Sequence, residues 1–171
     1  MKEELFNSYY VFDFDFNPDS ELRVLFSINE EKETVVCYTQ GLLKMSVVAK
    51  LHPEDTFDEN KGKIISLFKL INLLRRKKIN ALKSLVSAIT GNNKREAMFF
   101  VDEVVIYNLL IRKISSNAEE SYLFEGEYEK YKNGIRILRS CDWNMTSKAN
   151  DYFKFLRDDE LYKEMLNVKN I

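Results

Sequence analysis

The sequence predicts an α+β protein, with an N-terminal antiparallel β-sheet of about four strands packed against a mostly helical C-terminal half. Two observations predict it. Apolar residues alternate with period two through the N-terminal third and then, from Ile64 onward, recur at three- and four-residue spacing. Glycine (5) and proline (2) are scarce among 171 residues, which leaves little material for linkers. Runs of strands followed by runs of helices define this class. The length fits a single domain, 1–171, with a β-rich acidic part, 1–58, and a helical part, 59–171, that is basic over 61–113.

The strands are read in order. "YVFDFDF", Tyr10 to Phe16, places Phe12, Phe14 and Phe16 on one face and Asp13 and Asp15 on the other, and closes at an Asn17-Pro18-Asp19 turn. "ELRVLFSI" follows as a second strand. A polar tip, Asn29 to Glu33, leads to "TVVCYT", and Gln40-Gly41 turns the chain into "LLKMSVVAKL". Tight connections of this kind make an antiparallel meander.

Helical spacing then takes over at Ile64, Leu67, Phe68, Ile71 and Leu74, and again at Leu82, Leu85, Val86 and Ile89. The polar knot "RRKKIN" between these sets suggests two helices or one kinked helix, ended at Gly91 as a C-cap. A further helix is predicted over "NKREAMFFVDEVVIYNLLIRKI", with Asn93 as cap and Glu96 at its third position. "EYEKYKNGIRIL" reads as a helix through Tyr128, Tyr131, Ile135 and Leu138, although Asn133-Gly134 is also a two-residue hairpin signal. The tail from Thr146 reads as helix. The expected core includes Phe12, Phe14, Val35, Val47, Leu67, Ile71, Val101, Val105 and Leu109.

The stretch "AKLHPEDTFDENKG", residues 49–62, concentrates the single histidine, one proline and four carboxylates at the junction between the two periods. Pro53 fixes its own φ and pushes His52 toward extended geometry, so His52-Pro53 suits a strand terminus. Asp55, Thr56 or Asp58 can cap a helix opening near Glu59, with Phe57 as a hydrophobic staple. Gly62 within the first helical turn costs about 1 kcal/mol against alanine, which points to a close backbone approach to the sheet. Each residue of the junction therefore has an architectural duty.

Chemistry is weakly signalled. His52 is the one candidate base of its type, and no nucleophile lies near it in sequence. Asp55, Asp58 and Glu59 could hold Mg²⁺, but a helix start is the wrong place for the strand-borne acids of a metal-dependent nuclease. No phosphate-cradling glycine loop, GxSxG or HExxH occurs. Cys37 and Cys141 stand apart from each other and from histidine, so both read as packed thiols. The expectation is a non-enzyme with no cofactor and no bound metal.

Net charge is −1, yet it is strongly segregated. Residues 1–60 carry 13 acids and 5 bases, and residues 61–113 carry 12 bases and 3 acids. Two candidate surfaces follow. An acidic one, Asp13, Asp15, Glu30, Glu31, Glu33, Glu54 and Asp55, would present carboxylates to a basic partner. A basic one, Arg75, Arg76, Lys77 and Lys78, would contact nucleic acid or an acidic partner. No apolar run approaches the roughly 18 residues that span a bilayer, and the N-terminus lacks a signal-peptide pattern, so a cytoplasmic protein is expected.

One resemblance adds to this reading. "TVVCYTQGLLKMSVVAKLHPEDTFDENKG", Thr34 to Gly62, resembles a strand-turn-strand-helix element of small, mostly uncharacterised proteins from Firmicute phages and mobile elements. The pattern is TVVxxxxG, a VVxK strand, a Pro-Glu-Asp turn and DxFDxxxG opening a helix. It is carried by Thr34, Val35, Val36, Gly41, Val47, Val48, Lys50, Pro53, Glu54, Asp55, Phe57, Asp58 and Gly62, about a sixth of the chain. Leu51 and His52 replace a pair that often contains cysteine, and Ile64, Ile65 and Phe68 stand where alanines are usual. The resemblance implies local topology and a genomic origin. The expected function is then that of a phage or mobile-element protein acting inside a bacterial host by protein binding, as an inhibitor of a defence nuclease complex such as a CRISPR–Cas effector. A nucleic-acid-binding accessory protein and an unrecognised metal-dependent enzyme are the alternatives.

Overall fold

The computed structural model describes residues 1–6, 10–11 and 21–140, and side chains over 1–6 and 21–136. Most of the predicted Tyr10–Phe16 strand, with Phe12, Phe14, Asp13 and Asp15, lies outside the described residues, as do Cys141 and the predicted tail helix. Within them the predicted α+β class is present. Five antiparallel strands, β1 (Lys2–Leu5), β2 (Tyr10–Val11), β3 (Glu21–Asn29), β4 (Thr34–Gly41) and β5 (Ser46–Lys50), precede three α-helices. These are α1 (Glu59–Thr90), α2 (Lys94–Glu119) and α3 (Lys132–Ser140). Two 3₁₀ turns, Tyr122–Phe124 and Gly126–Tyr131, link α2 to α3.

The sheet order is β1-β3-β4-β5, with β2 also paired to β3. Leu5 faces Leu25 while Tyr10 faces Leu22, so the pairing register shifts by two residues between β1 and β2. Alternation selects the buried face: Leu22, Val24, Phe26 and Ile28 on β3 meet Val35, Cys37 and Thr39 on β4, in the pairs Ile28–Val35, Phe26–Cys37 and Val24–Thr39. Gly41, at φ +103°, is the last residue of β4; a β-carbon there would lie 2.1 Å from the Glu21 carbonyl oxygen. β1 was not legible in the sequence, because "KEEL" has no apolar alternation. Its backbone pairing to β3 and the ion pairs of Lys2 and Glu4 hold it.

Contacts divide the chain into two compact units whose limits fall inside α1 and α2. One comprises residues 1–72 and 113–136. Its core joins the buried sheet face to Ile64, Leu67, Leu70 and Ile71 of α1, Ile114 and Ala118 of α2, and Leu123, Phe124 and Ile135. Burial of a side chain such as Phe26 or Phe124, both at 0% exposure, contributes about 1.5–3 kcal/mol. The other unit holds residues 73–112, where Leu85, Ala88 and Ile89 pack with Ala97 and Val101 in a helical hairpin.

The helix α1 is unbroken across "RRKKIN". Its buried positions run Leu74, Lys78, Ala81, Leu82 and Leu85, so Lys78 continues the apolar stripe with its aliphatic stem while Nζ donates to Asn108 Oδ1 at 3.2 Å. Gly91 directly follows the last helical residue, Thr90, as expected of the C-cap. Asn92, not Gly91, takes the left-handed conformation (φ 59°), and Asn92 N–H to Ile89 O and Asn93 N–H to Ala88 O close a Schellman motif. Asn93 then caps α2 through Oδ1, accepting from the Glu96 amide at 3.2 Å. Asn133 and Gly134 lie in α3, where burial of Ile135 follows the helical pattern. Val47, Val105 and Leu109, expected in the core, are only half-buried, and Val105 packs against the Leu85–Ala97 cluster from its edge.

Candidate docking site at the end of the sheet

The β3–β4 turn and the β5–α1 loop meet at one end of the sheet. Asn29 Oδ1 accepts from the Lys32 amide at 3.1 Å, and the Glu33 amide donates to Glu30 O at 3.2 Å. Glu33 is left at φ 52°, a left-handed position that glycine or asparagine occupies at least cost. Its carbonyl accepts from the Leu51 amide at 3.1 Å, which fastens the loop to the turn. The loop folds on itself at Pro53: the Asp55 amide donates to His52 O at 2.9 Å, and the Glu54 amide to His52 Nδ1 at 3.4 Å.

Glu30, Glu31, Glu33, Glu54 and Asp55 are all exposed on these two segments. The fold thus gathers five of the seven acidic candidates; Asp13 and Asp15 lie outside the described residues. Between turn, loop and α1 lies a cavity of about 180 Å³. Val35, Ala49, Leu51, Phe57, Gly62 and Ile65 supply its apolar walls, and Glu33, Asp55 and Asp58 share its polar lining with Lys50, His52 and Lys61.

Asp58 opens the helix: Oδ1 accepts from the Lys61 amide at 3.1 Å, and Oδ2 accepts from the Tyr128 hydroxyl. Burial pushes the Asp58 carboxyl upward, but the Tyr128 bond and the amides of Lys61 and Asn60 outweigh it and hold it below the ordinary carboxylate range. The same bond, with burial, pushes the Tyr128 phenol up.

A second polar cluster stands on Lys63, whose side chain is 5% exposed. Nζ donates to Glu4 Oε2 at 2.6 Å and lies 3.3 Å from both Glu59 Oε1 and the Tyr122 hydroxyl. The Tyr122 hydroxyl in turn donates to Glu4, and Lys2 Nζ lies 3.1 Å from Glu59 Oε1. Burial raises the Glu4 and Glu59 carboxyls; hydrogen bonds and the charges of Lys63 and Lys2 prevail and leave both lowered. Burial likewise works against the Lys63 ammonium, and its bonds to Glu4 and Tyr122 prevail, so its pKa is raised. The sequence reading missed this cluster. One signal was available: Lys63 falls beside Ile64 on the stripe that continues to Leu67.

These bonds separate the acids considered for Mg²⁺. Asp58 serves the helix amides and Tyr128, Glu59 serves Lys2 and Lys63, and Asp55 stands exposed. Among the described residues no three His, Cys, Asp or Glu side chains are grouped to hold a metal. His52 is exposed, and burial pushes the Cys37 thiol upward, away from reactive thiolate. In the basic run Arg76 and Lys77 are exposed and Arg75 is half-buried. Lys78, at 6% exposure, is buried.

No helix among the described residues is long and apolar enough to cross a membrane. Comparison with protein-family models, curated proteins and solved structures returned no match.

Proposed function

We propose that the protein acts by docking a macromolecular partner on the acidic end of its sheet. The observation that carries this reading is the placement of five exposed carboxylates on two adjoining segments, two of which, Glu33 and Asp55, line one concave, largely apolar surface. Exposed carboxylates steer a basic partner, and the apolar floor supplies the contact area that charge alone does not. The partner class is a bacterial defence nuclease complex, in keeping with the resemblance of Thr34–Gly62 to a phage and mobile-element segment. Such complexes hold nucleic acid in positively charged channels, where carboxylates can take the places of phosphates. The protein would then be an inhibitor that works by occupancy.

The experiment is site-specific photocrosslinking in a bacterial lysate. A benzophenone side chain at Glu31 or Glu54 is expected to trap one stoichiometric partner, while the same group at Arg76 is not. Equal trapping at all three positions, or none, refutes docking at this end of the sheet.

A further inference from the structure

The cavity beside this acidic rim is smaller than the usual nucleotide or cofactor site. Its volume of about 180 Å³ is below the roughly 300 Å³ at which small-molecule sites begin. It has the size of one long side chain. Its chemistry is divided in the same way as such a side chain: Val35, Ala49, Leu51 and Ile65 wall it, and the Glu33 and Asp55 carboxylates flank it. The surrounding turn and loop add Glu30, Glu31 and Glu54. Of the charged side chains that line the cavity, Glu33, Asp55 and Asp58 stand against Lys50 and Lys61, and over the wider turn and loop six carboxylates stand against three lysines, so the local charge favours a cation.

We infer that the cavity receives a lysine or arginine side chain from the partner protein, its methylene stem against the apolar walls and its charged head between Glu33 and Asp55. This rests on the docking reading above and adds the anchor to it. A long basic side chain matches both halves of the site, because its stem is apolar and its head is a hydrogen-bond donor. Purely apolar anchors would leave the carboxylates unanswered, and an acidic one would meet them with like charge.

The test is an amide-resonance titration of the full chain with acetyl-Ala-Ala-X-Ala-Ala-amide peptides, X being Arg, Lys, norleucine or Glu, and with n-butylammonium. The Arg or Lys peptide is expected to shift Ala49, Leu51 and Ile65. Norleucine should bind about tenfold more weakly, the cost of one charge-assisted hydrogen bond, and the Glu peptide should give no shifts. Glu33→Gly combined with Asp55→Asn should weaken the basic peptide to the norleucine level. Norleucine binding as tightly as lysine, n-butylammonium shifting none of Ala49, Leu51 and Ile65, or shifts confined to other residues would each overturn the inference. Should the basic peptides fail while crosslinking at Glu31 and Glu54 succeeds, the anchor is refuted and the docking reading stands. Failure of both removes both.

Discussion

Gly62 and Val35 are in backbone-to-side-chain contact: a β-carbon on Gly62 would stand 2.6 Å from Val35 Cγ2. The helix α1 therefore meets β4 at the one position in its first turn that has no side chain. Alanine at Gly62 would gain about 1 kcal/mol of helix propensity in isolation. Overpacking against a β-branched neighbour costs about 1–3 kcal/mol and outweighs it. Gly62→Ala is expected to lower the urea midpoint, and to cost less in a Val35→Ala background. A midpoint that rises in the single variant would show that the helix does not sit on the strand in this way.

Glu33 carries backbone strain at the rim of the cavity. Glycine takes φ 52° without the steric cost that glutamate bears, less what glycine loses in unfolded-chain entropy. Glu33→Gly is expected to be neutral to about 1 kcal/mol stabilising by thermal melting. A clear loss of stability would mean that the carboxylate has a structural duty.

The Lys63 cluster couples stability to pH at both ends. Glu4, Glu59 and Asp58 have lowered pKa values in the folded chain. Their contribution is therefore present above the unfolded carboxylate value of about 4 and is lost as pH falls through the depressed folded values. Lys63 is raised, so its contribution is present below the unfolded lysine value of about 10.4 and is lost as pH rises through the folded value. Glu4→Gln is expected to cost about 1–2 kcal/mol at neutral pH, discounted for partial exposure, and to flatten the acid limb. An acid limb of unchanged slope would argue against these pairings.

The basic run should divide by burial. Lys78→Ala removes a buried stem and its bond to Asn108, and is expected to cost about 1–2 kcal/mol. Arg76→Ala and Lys77→Ala should stay within about 0.5 kcal/mol. Equal effects at all three positions would contradict the assignment of Lys78 to the core.

The α+β class, the β3–β4–β5 meander and the duties of Asp58, Gly62 and Asn93 were legible, because each depends on short-range pattern or cap chemistry. β1 was not, because its sequence carries no apolar alternation, and the Lys63 cluster was not, since Lys63 and Glu59 meet Lys2, Glu4 and Tyr122, and Tyr122 meets Glu4, across 57 to 118 residues of sequence. Lys78 misled for a related reason. A lysine on an apolar stripe looks like an interruption until its stem is seen to continue the stripe. The gathering of Glu30, Glu31 and Glu33 with Glu54 and Asp55 follows from the β4–β5 pairing and the Glu33–Leu51 hydrogen bond. The run of acids was visible in the sequence, but its focus on a cavity was not.

The most direct measurement is the yield of crosslinked partner from Glu31-labelled protein, with and without Glu33→Gly and Asp55→Asn, at equal melting temperature. If the acidic end of the sheet is where the partner docks, the trapped complex disappears from a chain that is no less stable. A yield unchanged by loss of both carboxylates would contradict the account.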